Sequence, residues 1–66
     1  MLKIDYVYYE DMVIEFDGIF KLDMDYCSLN EALEKTQEML NKYGFAHAEI
    51  QNACNTETIA TVEKVS

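Results

Sequence analysis

Apolar residues keep to even positions through the first third of the chain, while most odd positions are polar. A period of two is typical of β-strands that bury one face. Two turn signals, Glu10-Asp11 and Asp17-Gly18, divide this run into three antiparallel strands, predicted near residues 2–9, 12–16 and 19–25. Because the parity stays constant across the turns, we expect one buried face made of the even residues. These are Leu2, Ile4, Tyr6, Tyr8, Met12, Ile14, Phe16, Phe20, Leu22, Met24 and Tyr26.

The segment SLNEALEKTQEMLNKYG, residues 28–44, is typical of an amphipathic helix. Ser28 with Glu31 three residues later forms a capping-box pattern, and Gly44 suits the left-handed residue that ends a helix. Between these caps, apolar residues recur at intervals of three and four and form one stripe that can pack on a sheet. The stripe comprises Leu29, Ala32, Leu33, Thr36, Met39, Leu40 and Tyr43.

Alternation returns after the helix over residues 46–51, and a polar turn follows. The run TIATVEKV, residues 58–65, is rich in β-branched side chains and is predicted to form a fifth strand. The whole chain, residues 1–66, is therefore predicted to be a single α+β domain. We expect two layers, with a mainly antiparallel sheet and one helix packed on one face, in the order βββαββ.

Charge narrows the range of partners. Thirteen acids against five lysines give a net charge of -8, whereas half of the residues are apolar, which favours folding over disorder. Direct binding to nucleic acid or to an anionic membrane surface is not expected, because both need a basic surface. No segment is long and apolar enough for a membrane span. A partner steered by charge should be basic.

The two cysteines, Cys27 and Cys54, lie far apart and form no CxxC pattern. They could pair in a secreted protein, but the N-terminus shows no signal peptide, so a cytoplasmic location with free thiols is expected. Cys27 adjoins the predicted helix N-terminus, which makes it the more reactive of the two. Nothing in the sequence positions His47 beside it, and His47 is expected on the solvent side of a strand.

The acidic residues before and within the helix partly match a calcium loop, with Asp23, Asp25 and Glu34 at its first, third and twelfth positions. Cys27 and Ser28 occupy positions where that loop needs a ligand and a glycine, so the match fails. Asp23 and Asp25 also share the strand face opposite the helix, and an exposed carboxylate pair stays ionised and does little acid–base chemistry. We therefore expect no catalytic residue, no metal site and no cofactor, and we expect that the protein is not an enzyme.

The sheet face opposite the helix is the candidate functional surface. Its apolar residues, ringed by carboxylates, resemble the centre and rim of a protein interface, with Tyr9 as the expected anchor. One use is binding a basic partner, and the other is homodimerisation through the same face. Carboxylates on both copies would repel across a dimer unless Lys3 and Lys21 pair with them, which favours a foreign partner. The candidate partner-binding residues are Asp5, Val7, Tyr9, Val13, Glu15, Ile19, Asp23 and Asp25.

In size, charge and predicted layout, including the SLNEALEKTQEMLNKYG helix, the chain resembles the small acidic inhibitors encoded by bacteriophages. Anti-CRISPR proteins and DNA-mimic inhibitors belong to this group. The resemblance implies a non-enzymatic inhibitor, acting in the host cytoplasm, that blocks a host defence or nucleic-acid-handling protein through its acidic surface.

Overall fold

The computed structural model describes residues 7–64 and contains one helix and six strands within them. The strands and the helix confirm the predicted α+β class, and their order contains one short strand more than the sequence predicted. In chain order they are β1 Tyr8–Tyr9, β2 Met12–Phe16, β3 Phe20–Met24, β4 Cys27–Ser28, α1 Leu29–Tyr43, β5 His47–Asn52 and β6 Glu57–Glu63.

Four strands form one antiparallel sheet in the order β3-β2-β5-β6. The remaining two, β1 and β4, form a separate antiparallel pair. The alternation pattern predicted that β1 shares a buried face with β2 and β3. For the described residues of β1 this prediction is wrong, because β1 pairs with β4 instead. The central strands β2 and β5 each have neighbours on both sides, so their helix-facing residues are the most buried of the sheet.

Helix α1 begins and ends as the sequence predicts. The Ser28 hydroxyl accepts a hydrogen bond from the Glu31 amide at 3.2 Å, and the Glu31 carboxylate accepts one from the Ser28 amide at 3.0 Å. Gly44 takes the left-handed conformation at φ 75° and donates its amide to the Leu40 carbonyl. The apolar stripe of α1 packs on β2 and β5. The fully buried large side chains of this core are Phe16, Met12, Ile14, Leu40, Ile50 and Thr36.

The prediction that the even residues form one buried face is wrong for some of them. Tyr8 and Tyr26 were predicted to be core residues but are 49% and 68% exposed, whereas Tyr9 packs against the core. The reason is the pairing of β1 with β4, which places Tyr9 opposite the buried Cys27 and leaves Tyr8 exposed. Phe20, also predicted to be core, is 43% exposed because it begins the edge strand β3.

Candidate acidic binding surface

The face of the four-stranded sheet away from α1 is set by the strand register. Because Met12, Ile14 and Phe16 of β2 point into the core, the odd residues of this strand point the other way. Their partners on β3 and β5 lie on the same side. We call this side the open face; it comprises Val13, Glu15, Lys21, Asp23, His47, Glu49, Gln51, Thr61 and Glu63.

Acidic residues outnumber lysine on the open face. Glu15 lies between two cross-strand partners, Lys21 on β3 and Glu49 on β5. Like charges directly opposite on neighbouring strands are destabilising, so the Glu15 and Glu49 pair costs free energy that Lys21 offsets on one side only. The open face is therefore a half-exposed, net negative surface.

The strongest concentration of negative charge lies at one end of the β2–β3 ladder. Asp11 precedes β2, Asp23 lies near the end of β3 and Asp25 follows it. Since Met12 pairs with Met24, the hairpin register brings these three residues to the same place. One carboxylate oxygen from each lies within 4.8 Å of the others. We call Asp11, Asp23 and Asp25 the carboxylate cluster.

Proximity within the carboxylate cluster changes its acid–base behaviour. A side-chain hydrogen bond with Asp11, together with the Asp11 charge, raises the pKa of Asp23. Asp11 Oδ1 is buried and has no hydrogen-bond partner among residues 7–64. Asp11 therefore holds one oxygen close to Asp23 while its buried oxygen has no partner among the described residues.

Ion pairs elsewhere in the described structure do not relieve this charge. Within residues 7–64, Lys35 pairs with Glu38 on α1, and Asp17 contacts His47, but no ion pair involves the carboxylate cluster. The cluster can therefore accept hydrogen bonds from a guanidinium or ammonium group. Calcium takes six to eight oxygen ligands, so an ion held by one oxygen from each of these residues would need further ligands, such as water.

Residues 23–34, which partly match a calcium-loop pattern, do not form such a loop, because α1 begins at Leu29. Glu31 uses its carboxylate to cap the helix, and Glu34 lies on α1. Sequence reasoning placed Asp11 in a turn and missed its part in the cluster. The available signal was the hairpin register, because pairing residues 12–16 with residues 20–24 brings Asp11 across from Asp25.

The structure brings some of the other candidate residues together and separates the rest. Val13 and Glu15 lie on the open face with Asp23, as predicted. Ile19 lies in the β2–β3 turn, 81% exposed, at the opposite end of β2 from Val7. Tyr9 packs against the core, so the predicted continuous apolar patch does not form. Asp5 lies outside the described residues.

Two exposed tyrosines lie at the same end of the molecule as the carboxylate cluster. The rings of Tyr8 and Tyr26 stack with centroids 5.2 Å apart and an angle of 7° between their planes. Tyr26 directly follows Asp25, and Tyr8 is close to Glu10 in the chain. Sequence reasoning assigned both tyrosines to the core and therefore missed this exposed aromatic pair.

Cys27 is not the reactive thiol that its place before the helix suggested. Burial, aided by the charges of Glu31 and Asp25, raises the pKa of Cys27. Its sulfur contacts Met12 Sδ at 3.9 Å inside the core. Cys54 is exposed, and both cysteines are free. The described cysteines therefore form no disulfide, and His47 lies beside Asp17 rather than beside a thiol.

A separate apolar hollow of about 330 Å³ lies between β3 and the C-terminal end of α1. Its lining consists of Phe20, Met39, Tyr43 and Phe45. None of these lining residues carries a carboxylate, and none belongs to the carboxylate cluster.

Comparison of the chain with known protein families, with curated proteins and with solved structures found no match. Across residues 7–64, no helix has the length and apolar character that crossing a membrane requires.

Proposed function

We propose that the protein is a non-enzymatic binding protein that engages a basic partner through the open face and the adjoining carboxylate cluster. The observation that carries the proposal is the gathering of Asp11, Asp23 and Asp25, with oxygens within 4.8 Å and no ion pair among the described residues. Concentrated charge that has no ion-pair partner within residues 7–64 costs stability and gains most from an external cation.

The partner we propose is a host defence or nucleic-acid-handling protein, blocked in the manner of a phage-type inhibitor. Such proteins carry grooves of lysine and arginine that bind phosphates. Carboxylates of Glu15, Asp23 and Asp25, arranged along neighbouring strands, can occupy a groove of that kind, and the net charge of -8 steers the encounter. The acidic surface then competes with nucleic acid for the same positive charges.

Self-association through the same face is less favourable. A two-fold interface places the same patch on both sides, so the carboxylates of one copy would approach those of the other. Among residues 7–64, Lys21 is the single lysine of the open face. We expect a monomer by light scattering at micromolar concentration, and a stable dimer at that concentration would favour the self-association hypothesis instead.

The proposal is tested by capture of partners from a bacterial host lysate at two salt concentrations. The variant Asp23→Asn/Asp25→Asn should lose a basic protein that the wild type retains, and duplex DNA should displace that protein. The control Glu34→Gln/Glu57→Gln removes the same charge from exposed sites elsewhere and should retain it. Binding that is indifferent to salt, or equal loss in both variants, would contradict recognition by this surface.

A further inference from the structure

The stacked pair Tyr8 and Tyr26 remains open to solvent on a protein with a small core. Tyr8 is 49% exposed and Tyr26 is 68% exposed. Tyr8 lies on β1 and Tyr26 directly precedes β4, the strand that pairs with β1, and their rings stack with centroids 5.2 Å apart. The rings stack nearly parallel, and both side chains remain partly exposed.

All charged residues in the two chain segments that carry Tyr8 and Tyr26 are acidic. Residues 7–11 and 23–31, which meet at this end of the molecule, contain five acids and no lysine. The face of an aromatic ring also carries negative electrostatic potential. Ring faces and carboxylates therefore favour the same kind of ligand, a cation that is broad enough to touch both.

We propose that Tyr8 and Tyr26 form a docking platform for an arginine side chain of the basic partner, so that the surface prefers arginine to lysine. This inference rests on the proposed function. A guanidinium is planar, so it can stack on a tyrosine face while its edge donates two hydrogen bonds to a carboxylate such as Asp25. The lysine ammonium is compact and strongly hydrated, and it makes only one of these contacts well.

Tyr8 and Tyr26 take the place of Tyr9, which the sequence predicted as the interface anchor. Tyr9 is partly buried against the core, so less of its ring is available to a partner. Tyr8 and Tyr26 have the exposure that an interface anchor needs, and their stacking fixes both rings before binding. A preformed aromatic surface loses less conformational entropy when a partner covers it.

The test uses two synthetic peptides of equal length and charge, one with arginine and one with lysine at every basic position. Their affinities for the full chain are measured by fluorescence anisotropy at constant salt. We expect the wild type to bind the arginine peptide more tightly, and Tyr26→Leu to weaken that binding by about five- to thirtyfold. Tyr26→Phe keeps the ring and should keep most of the affinity.

The matched control is Tyr43→Leu, which removes a tyrosine of similar exposure, 57%, from the far end of α1. It should leave both affinities unchanged. Melting curves of all variants establish that each is folded, and the wild-type preference for arginine tests the platform without any substitution.

The outcomes separate this inference from the function it rests on. If Asp23→Asn/Asp25→Asn weakens both peptides while Tyr26→Leu weakens neither, the acidic surface binds cations and the platform is refuted. Equal affinity of the wild type for the two peptides also refutes the platform. If the wild type binds neither peptide at low salt, the platform and the proposed recognition of a basic partner both fail.

Discussion

The Asp17 carboxylate ties the β2–β3 turn to the start of β5, accepting a hydrogen bond from the backbone amide of His47 at 3.0 Å. The Ala46 amide donates to the same carboxylate at 3.1 Å, and the Asp17 amide donates to the His47 carbonyl. Asp17 has a positive φ of 53°, a conformation that aspartate and asparagine tolerate better than most residues. One side chain thus fastens a hairpin to a strand far along the chain.

These contacts predict a specific dependence of stability on acid. The amides of His47 and Ala46 lower the pKa of Asp17. The contribution to stability is therefore complete above the pKa of an unfolded aspartate, and it is lost as pH falls through the lowered pKa. Asp17→Asn should lower the melting temperature at neutral pH and lose less stability than the wild type on acidification.

The control for this prediction is Glu34→Gln, which removes one exposed charge from α1. On acidification, the melting temperature of this variant should fall as much as that of the wild type. An Asp17→Asn protein whose melting temperature falls with acid as steeply as the wild type would show that the amide contacts of this carboxylate do not set the pH dependence.

Asp23 predicts the opposite pH dependence. Its pKa is raised because Asp11 lies beside it, so the folded state binds this proton more tightly than the unfolded state does. The favourable contribution is present at acid pH and is lost as pH rises through the raised pKa. Asp23→Asn removes the repulsion, and at neutral pH its melting temperature should exceed that of the wild type.

Added salt provides the check on this second prediction. Screening weakens repulsion between exposed carboxylates, so sodium chloride should raise the melting temperature of the wild type more than that of Asp23→Asn. Glu57→Gln serves as the charge-matched control, and its response to salt should resemble the wild type. A destabilised Asp23→Asn would mean that the carboxylate makes a favourable contact that outweighs the repulsion from Asp11.

The sequence predicted the elements whose signals are local. Helix α1 carries its own caps at Ser28 and Gly44, and β2 carries an uninterrupted alternation, so both are found where the pattern placed them. Parity could not show that β1 pairs with β4, because that pairing depends on where the chain turns after Met24. The faces of Tyr8 and Tyr26 were therefore assigned to the wrong side.

The residues of the candidate site were also predictable only where their placement depends on local sequence. Asp23 and Asp25 could be singled out from their spacing, whereas Asp11 joins them only through the hairpin register. Glu49 reaches the open face because β5 pairs with β2, and strand order is a non-local property that no spacing in the chain specifies. Surfaces built from several strands are thus less predictable from sequence than a single capped helix.

The capping box of α1 should be worth about 1 kcal/mol of stability. Ser28→Ala removes the hydroxyl that accepts from the Glu31 amide and leaves this amide at the helix N-terminus without its capping partner. For a domain of this size the melting temperature should fall by about 4–8 °C. Gln37→Ala, an exposed change on the same helix, should not lower it, and equal losses in the two variants would argue against a specific capping effect.

The two cysteines should differ sharply in reactivity. Cys54 is exposed, whereas Cys27 is 5% exposed and burial raises its pKa, so little thiolate is available there. A chromogenic disulfide reagent at mildly alkaline pH should modify Cys54 quickly and Cys27 only as the fold opens. In Cys54→Ser the fast reaction should disappear and return in denaturant, and rapid modification of native Cys54→Ser would show that Cys27 is accessible without unfolding.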